Sequence, residues 1–237
     1  IDKKYKMNAL IKYESKEGGY CIITLQNGKA NAINPDLIAE LNQALDLAEK
    51  EKQVVILTGH AGMFSGGYDL KFMQKSMDDA KALVNLGSKL ALRMLSFPLP
   101  IISACSGHAI AKGSFILLSS DYRLGVEGDF KLGLNEVMIG MTMHHFGIQL
   151  AKARLSPVYV ERCVNNAEMF DPKSAITAGF LDKIVPAEAL LPTAEKIAQM
   201  FTQLNLKAHK QTKLKSRAPY LKALAEAIEK DNTEGIH

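Results

Sequence analysis

The 237-residue chain has no tryptophan, only three cysteines, and aromatic side chains at 7% of positions. So little cysteine excludes a disulfide scaffold. Cys21, Cys105 and Cys163 are odd in number, far apart and set beside apolar neighbours such as Ile22 and Ala104. They read as reduced, buried thiols of a cytoplasmic protein rather than as a disulfide or a nucleophile. Apolar runs such as Ile116–Leu118 fall far short of the ~20 residues that a membrane span needs. Charge of one sign is also lacking: 29 Lys and Arg against 25 Asp and Glu leave a net +4. That is too little to argue for nucleic acid or an anionic membrane as a partner. The spacings GxGxxG, GxxxxGK[ST] and HExxH are absent, and His144-His145 are adjacent, so they diverge on a helix; no metal is expected. What is present is ordinary for a globular protein, with 47% hydrophobic and 23% charged residues, enough for one large domain or a domain with an appended helical part.

The six residues before Met7 read as vector-derived. Ala9–Tyr13 and Tyr20–Leu25 are β-like runs parted by the polar stretch 14–19, which predicts a hairpin. Asn34-Pro35 is a cap followed by proline at a first helical position, and Leu37, Ile38, Leu41, Leu45 and Ala48 then recur at helical spacing. The run Val54–Leu57 has the length and β-branching of a buried strand. A helix is predicted near 79–95, with Ala80, Leu83, Val84, Leu90, Ala91 and Met94 on one face, stopped by Pro98-Leu99-Pro100. Ile101–Ala104 and Tyr122–Val126 follow as strands around a short buried helix at Phe115–Ser119. Beyond residue 145 the pattern turns helical. Ser156-Pro157 and Asp171-Pro172 repeat the cap-then-proline signal, Asp182–Val185 is a short strand, and two longer amphipathic helices end the chain, the last at about 207–230. The order predicts an α/β core over residues 7–185 and a helical region over 186–237 that docks on the core or on a neighbouring subunit.

Three glycine-containing segments interrupt these elements. Phe64-Ser65-Gly66-Gly67-Tyr68-Asp69-Leu70 follows a strand and reads either as a tight turn or as a backbone cradle whose free N–H groups face an anionic oxygen. Gly107–Phe115 offers a second set of N–H groups at a helix start. Two donors converging on one oxygen would make an oxyanion hole. His108 reads as a packed or hydrogen-bonded side chain in preference to a base. In the third segment, Phe130–Met141, Glu136 is the only charge between Lys131 and His144 and has Leu134, Val137, Met138 and Ile139 around it. Burial would raise its pKa toward neutrality and suit it to take and return a proton; the plain alternative is a side chain that points outward. Lys207, Lys210, Lys213 and Lys215 form a basic strip, read as a solvated helix face before a nucleic-acid contact.

Together these residues resemble the crotonase superfamily, the enoyl-CoA hydratase/isomerase family, over nearly the whole chain from Met7. The resemblance is carried by Lys29-Ala30-Asn31-Ala32-Ile33, Phe64–Leu70, Pro100–Ala104, Gly107–Gly113 with Asp121-Tyr122-Arg123, and Gly133-Leu134-Asn135-Glu136. It implies a spiral of ββα units with a C-terminal helical region, self-association as trimers or hexamers, and an acyl-CoA substrate with no separate cofactor. It also implies that the N–H groups of Tyr68 and Lys112, with Gly113 beside the latter, hold the thioester oxygen. CoA contacts map to Lys29, Ala30, Ser65, Gly66, Asp69 and Leu70.

Departures from the family pattern bear on the reaction. Hydratases of the family carry two glutamates; here Phe115 stands at the first position and Glu136 at the second. A phenyl ring cannot polarise water, whereas one base suffices to carry a proton from C2 to C4. The sequence is therefore most similar to the Δ3,Δ2-enoyl-CoA isomerase branch, with Glu136 as shuttle, Asn135 flanking it and Phe115 against the substrate. A hydratase with a single glutamate is the alternative, and a non-catalytic or RNA-binding homologue a further one. Ala111 and Lys112 replace part of a common glycine triplet, and His144 stands where proline is frequent; the Lys112 side chain either crowds the acyl tunnel or reaches a phosphate.

Overall fold

The computed structural model describes residues 10–235, so the expectation for residues 1–6 and the start of the first strand at Ala9 lie outside the described residues. β1 (Ile11–Lys16) and β2 (Tyr20–Leu25) form the expected antiparallel hairpin, but the first half of the polar stretch is strand and the turn occupies only residues 17–19. α1 (Pro35–Lys50) begins where the sequence places it: the Asn34 side chain accepts from the Leu37 N–H at 2.8 Å, and Leu37, Ile38, Leu41, Leu45 and Ala48 are buried. That bond satisfies one of the N–H groups every helix start leaves free.

Three similar turns follow. β3 (Val54–Thr58) and β4 (Gly62–Ser65) lead through the short α2 (Leu70–Met73) into α3 (Met77–Ser96). β5 (Ile101–Cys105) and β6 (Gly107–Ile110) lead into α4 (Lys112–Leu118). β7 (Tyr122–Val126) and β8 (Leu132–Gly133) lead into α5 (His145–Arg154). Each turn gives one strand to each of two sheets. The larger has the order β1-β2-β3-β5-β7-β10, parallel beyond the hairpin, and the smaller β4-β6-β8-β9, with only β9 antiparallel. This is a spiral of ββα units. The remaining elements are α6 (Val160–Val164), β9 (Met169–Phe170), α7 (Pro172–Ala178), β10 (Lys183–Val185), α8 (Leu190–Thr202) and α9 (Leu206–Glu234). No helix among the described residues is long and apolar enough to cross a membrane.

Strands buried on both faces explain the unbroken apolar runs in β3 and β5. Leu57 and Ile101 face the main core with α1, α3, α4 and α5. Val54, Ile56, Ile102 and Ala104 face Leu190, Ala194 and Ala198 of α8. The C-terminal helices thus dock on their own core: α8 covers the large sheet, and α9 runs along α3 and α5. Asp231 near the end of α9 is buried. Its two carboxylate oxygens accept from the His145 and Phe146 N–H groups at 2.7 and 3.0 Å, capping the start of α5.

The solvated-strip reading fails at one lysine. Lys213 is 5% exposed and donates to the Phe97 and Leu99 carbonyls at 2.9 and 3.1 Å and to Asp121 at 2.7 Å. Arg217 lies 2.8 Å from the other Asp121 oxygen, and the Ile101 N–H donates to the same carboxylate. The buried face of α9 carries this ion pair inward along with Leu224, Ala227 and Ile228. Removing one member of such a network strands the others in low dielectric. Asp121→Ala should destabilise the protein by about 3–5 kcal/mol, read by urea unfolding, since two cations lose their shared partner.

Candidate active site

The three glycine-containing segments converge on one cavity of about 530 Å³, walled by Lys29, Ala30, Gly66, Tyr68, Ala111, Asn135 and Glu136 among others. Asn31 holds the first wall in place: its side chain donates to the Met63 and Phe64 carbonyls and accepts from the Asn27 N–H.

Two backbone amides, those of Tyr68 and Lys112, have no partner among the described residues. Ile33 donates to the Gly67 carbonyl at 2.8 Å, and its own carbonyl accepts from Asp69 at 2.9 Å. In that parallel pairing the residue between, Tyr68, directs its N–H away from Ile33, and no described group accepts from it. Lys112 is the first residue of α4, and the alanine before it supplies no side-chain cap. Ala111 itself has φ +51°, a conformation unusual for a residue with a side chain, pinned by its N–H donating to Gly133 at 2.9 Å. The two segments touch: a Cβ on Gly67 would come 3.0 Å from both the Ala111 Cβ and the Ile110 carbonyl, and 3.4 Å from the Lys112 amide nitrogen. Gly113 is required by a closer approach still, since a Cβ there would collide with the Ser65 carbonyl.

Glu136 precedes a 3-10 turn at Val137–Ile139 and is 7% exposed, with Oε2 buried and unpartnered. Burial pushes its pKa up to about 7, against a downward pull from its own backbone N–H and from Lys112. A carboxyl so poised can both take and return a proton near neutral pH. Its apolar neighbours do not shield it as the sequence suggests, for Val137, Met138 and Ile139 are 44%, 65% and 48% exposed. The Asn135 Oδ1 is likewise buried without a partner in the same wall.

Other expected residues take different places. Asp69 and Leu70 line the cavity, but the Asp69 carboxylate caps α2 by accepting from the Lys71 and Phe72 N–H groups. Ser65 lies behind the wall, accepting from the Gly67 N–H and donating to the Asn31 carbonyl. Phe115 is buried in the core with its ring edge-on to His144 and does not line the cavity. The Lys112 side chain neither enters the cavity nor reaches its rim; it is buried and donates to the Gly87 carbonyl at 2.5 Å. His108 accepts from the Lys131 N–H at 3.0 Å, the packed role expected for it. Among the described residues no cluster of three or more His, Cys, Asp or Glu side chains could hold a metal ion.

Two contributors escaped the sequence reading. Lys71, on the cavity wall beside exposed Lys29, was signalled only by following the recognised Leu70. Gly87 was signalled by being a lone glycine inside a helix pattern.

A spiral of paired strands with a backbone-amide pocket and one buried glutamate defines a known class, and the comparisons agree with it. A profile described as Enoyl-CoA hydratase/isomerase matches residues 15–234, and the chain belongs to this family. An enoyl-CoA hydratase/isomerase family protein from Pseudomonas syringae is 55% identical, with TM-score 0.94 over 96% of this chain and 98% of its own. A Mycobacterium tuberculosis protein, named an enoyl-CoA isomerase for one solved structure and a probable enoyl-CoA hydratase for another, is 35% identical, with TM-score 0.91 over 95% of this chain and 95–99% of its own. A probable enoyl-CoA hydratase of Bacillus subtilis is 29% identical over 77% of this chain and 72% of its own length.

Gly67 combines φ +100° with contact to Ala111. Gly67→Ala should cost about 1–3 kcal/mol in thermal unfolding, because strain and overlap add at one position.

Proposed function

We propose that the protein shifts the double bond of an enoyl-CoA, with Glu136 as the single proton shuttle. The Glu136 carboxylate takes a proton from C2, and the electron pair of that bond delocalises onto the thioester oxygen. The Tyr68 and Lys112 N–H groups hold the resulting enolate oxygen, a donor of this kind being worth about 3 kcal/mol. Glu136 then returns the proton to C4. The observation that carries this reading is the pairing of one buried, unpartnered carboxyl with two orphaned amides around one cavity. The position where a hydratase of the family has its other glutamate is Phe115, sealed in the core, which supports a double-bond shift over addition of water. Exposed Lys29 and Lys71 on the cavity wall suit the phosphates of CoA, and the substrate brings CoA with it, so no separate cofactor is required.

The hydratase alternative draws support from the Bacillus subtilis relative's name. Glu136→Gln should lower kcat on a 3-enoyl-CoA by about a thousandfold while leaving CoA affinity in place, in line with the loss of a general base. Wild-type turnover in this variant would overturn the shuttle. The wild-type protein should leave crotonyl-CoA largely unchanged in an absorbance assay, and rapid loss of the conjugated substrate would establish the hydratase instead.

A cytoplasmic setting and self-association as trimers or hexamers belong to the same proposal. The exposed apolar turn Val137–Ile139 beside the site supports assembly, because apolar side chains this clustered favour a covered surface. Sedimentation velocity should give a trimer or larger, and a monomer at micromolar concentration would count against it. The basic strip behind the nucleic-acid alternative is one lysine shorter, since Lys213 is buried in an ion pair while Lys207, Lys210 and Lys215 stay exposed.

A further inference from the structure

The two residues whose amides face the thioester oxygen also carry long side chains that the proton shuttle does not use. The Tyr68 side chain lines the cavity, and its ring packs with Met73 on Ala80 and Val84 of α3. Its hydroxyl donates to the Val84 carbonyl at 3.4 Å. Gly87, one turn along α3, leaves room for that hydroxyl: a Cβ there would collide with the phenol oxygen and two ring carbons. The ring therefore lies directly against the helix and has no space behind it.

Lys112 closes the same corner. It is 2% exposed, its ammonium donates to the Gly87 carbonyl at 2.5 Å, and it lies 5.8 Å from the centre of the Tyr68 ring. A cation within about 6 Å of a ring face is drawn to it, so the lysine ties the ring to α3. Other large apolar residues of the cavity stand further out. Leu70 and Ile139 are 51% and 48% exposed and belong to its mouth. Tyr68 instead packs against the main core and forms the inner wall.

We infer that the Tyr68 ring is the end wall of the acyl pocket, a specificity-determining side chain that restricts the site to short acyl chains, with Gly87 and Lys112 holding it in place. The inference rests on the reading of this cavity as the acyl-CoA site, and it holds whichever reaction Glu136 performs. The limit on length follows because one residue supplies both ends of the measure. The Tyr68 amide holds the thioester oxygen and the Tyr68 ring stops the chain. The wall thus stands within one hydrogen bond and one tyrosine side chain of the thioester. A hexanoyl chain uses up that reach. A longer tail has to turn back past Leu70 and Ile139 into solvent, where it gains no burial.

Isothermal titration calorimetry with saturated acyl-CoAs reads chain length apart from catalysis, since these ligands carry no double bond to move. A buried methylene tightens binding about fourfold. Affinity should therefore climb from acetyl-CoA through butanoyl-CoA to hexanoyl-CoA and then stop, with decanoyl-CoA within about threefold of hexanoyl-CoA. Tyr68→Ala keeps the amide and removes the wall; it should raise the affinity for decanoyl-CoA relative to hexanoyl-CoA by about tenfold or more. Tyr68→Phe keeps the ring and should keep the wild-type plateau. A general loosening of the fold would weaken both ligands together and leave their ratio alone, so an unchanged ratio in Tyr68→Ala overturns the inference. If that variant does not fold, the wild-type series decides alone: affinity that goes on climbing to decanoyl-CoA overturns it. Hexanoyl-CoA binding no tighter than CoA itself would remove the acyl site and the inference with it. An active Glu136→Gln enzyme beside a plateau at hexanoyl-CoA sinks only the shuttle.

Discussion

The close backbone approach between successive turns of the spiral is the constraint on which the rest depends. At Gly113 the start of α4 presses against the Ser65 carbonyl at the end of β4, and Gly67 meets Ala111 with no room for a side chain. These contacts bring the segments after β4 and β6 together, and with them two amides that their own elements leave unpaired. Because the donors are main-chain groups, the identity of the residue that carries one is free to vary. A lysine can therefore supply the amide at position 112 while its side chain serves another end.

Functional poise is bought here with local instability. Ala111 keeps φ +51° although it has a Cβ, a conformation that costs about 1–3 kcal/mol and persists only when neighbours over-determine it. The Gly133 carbonyl and the first turn of α4 do so. The 3-10 turn after Glu136 inverts the usual arrangement, with its acid inside and its three apolar residues outside. Both features gather at one cavity rather than being scattered through the fold, as expected where stability yields to chemistry.

Much of this was legible because its causes are local. The caps at Asn34 and Asp171 announce their helices, and Gly179 takes the left-handed conformation, φ +99°, that ends α7. The buried strands β3 and β5 show as β-branched runs. The smaller sheet was not legible, since its strands are two to four residues long and three of them contain glycine, so they read as turns. Lys213 misled because its carboxylate partner lies 92 residues away and its helix face otherwise looks solvated. At the site, the residue types of Glu136, Tyr68 and Lys112 could be read from motif order. The direction of the Lys112 side chain could not, because its partner is a main-chain carbonyl 25 residues away in α3. Glu136 is buried as its apolar context suggested, yet largely by other residues, for of its four apolar neighbours only Leu134 is buried while Val137, Met138 and Ile139 face solvent.

The cap that Asp231 places on α5 has a consequence for how the molecule is made. α5 begins with His145, next to the His144 ring that packs on Phe115, and its first N–H groups are satisfied by a side chain 86 and 85 residues further on. During synthesis the strands and α4 can assemble on the ribosome, but the start of α5 stays uncapped until the last turns of α9 have emerged. The start of α5 is therefore completed only after α9 has been made and has folded back against it.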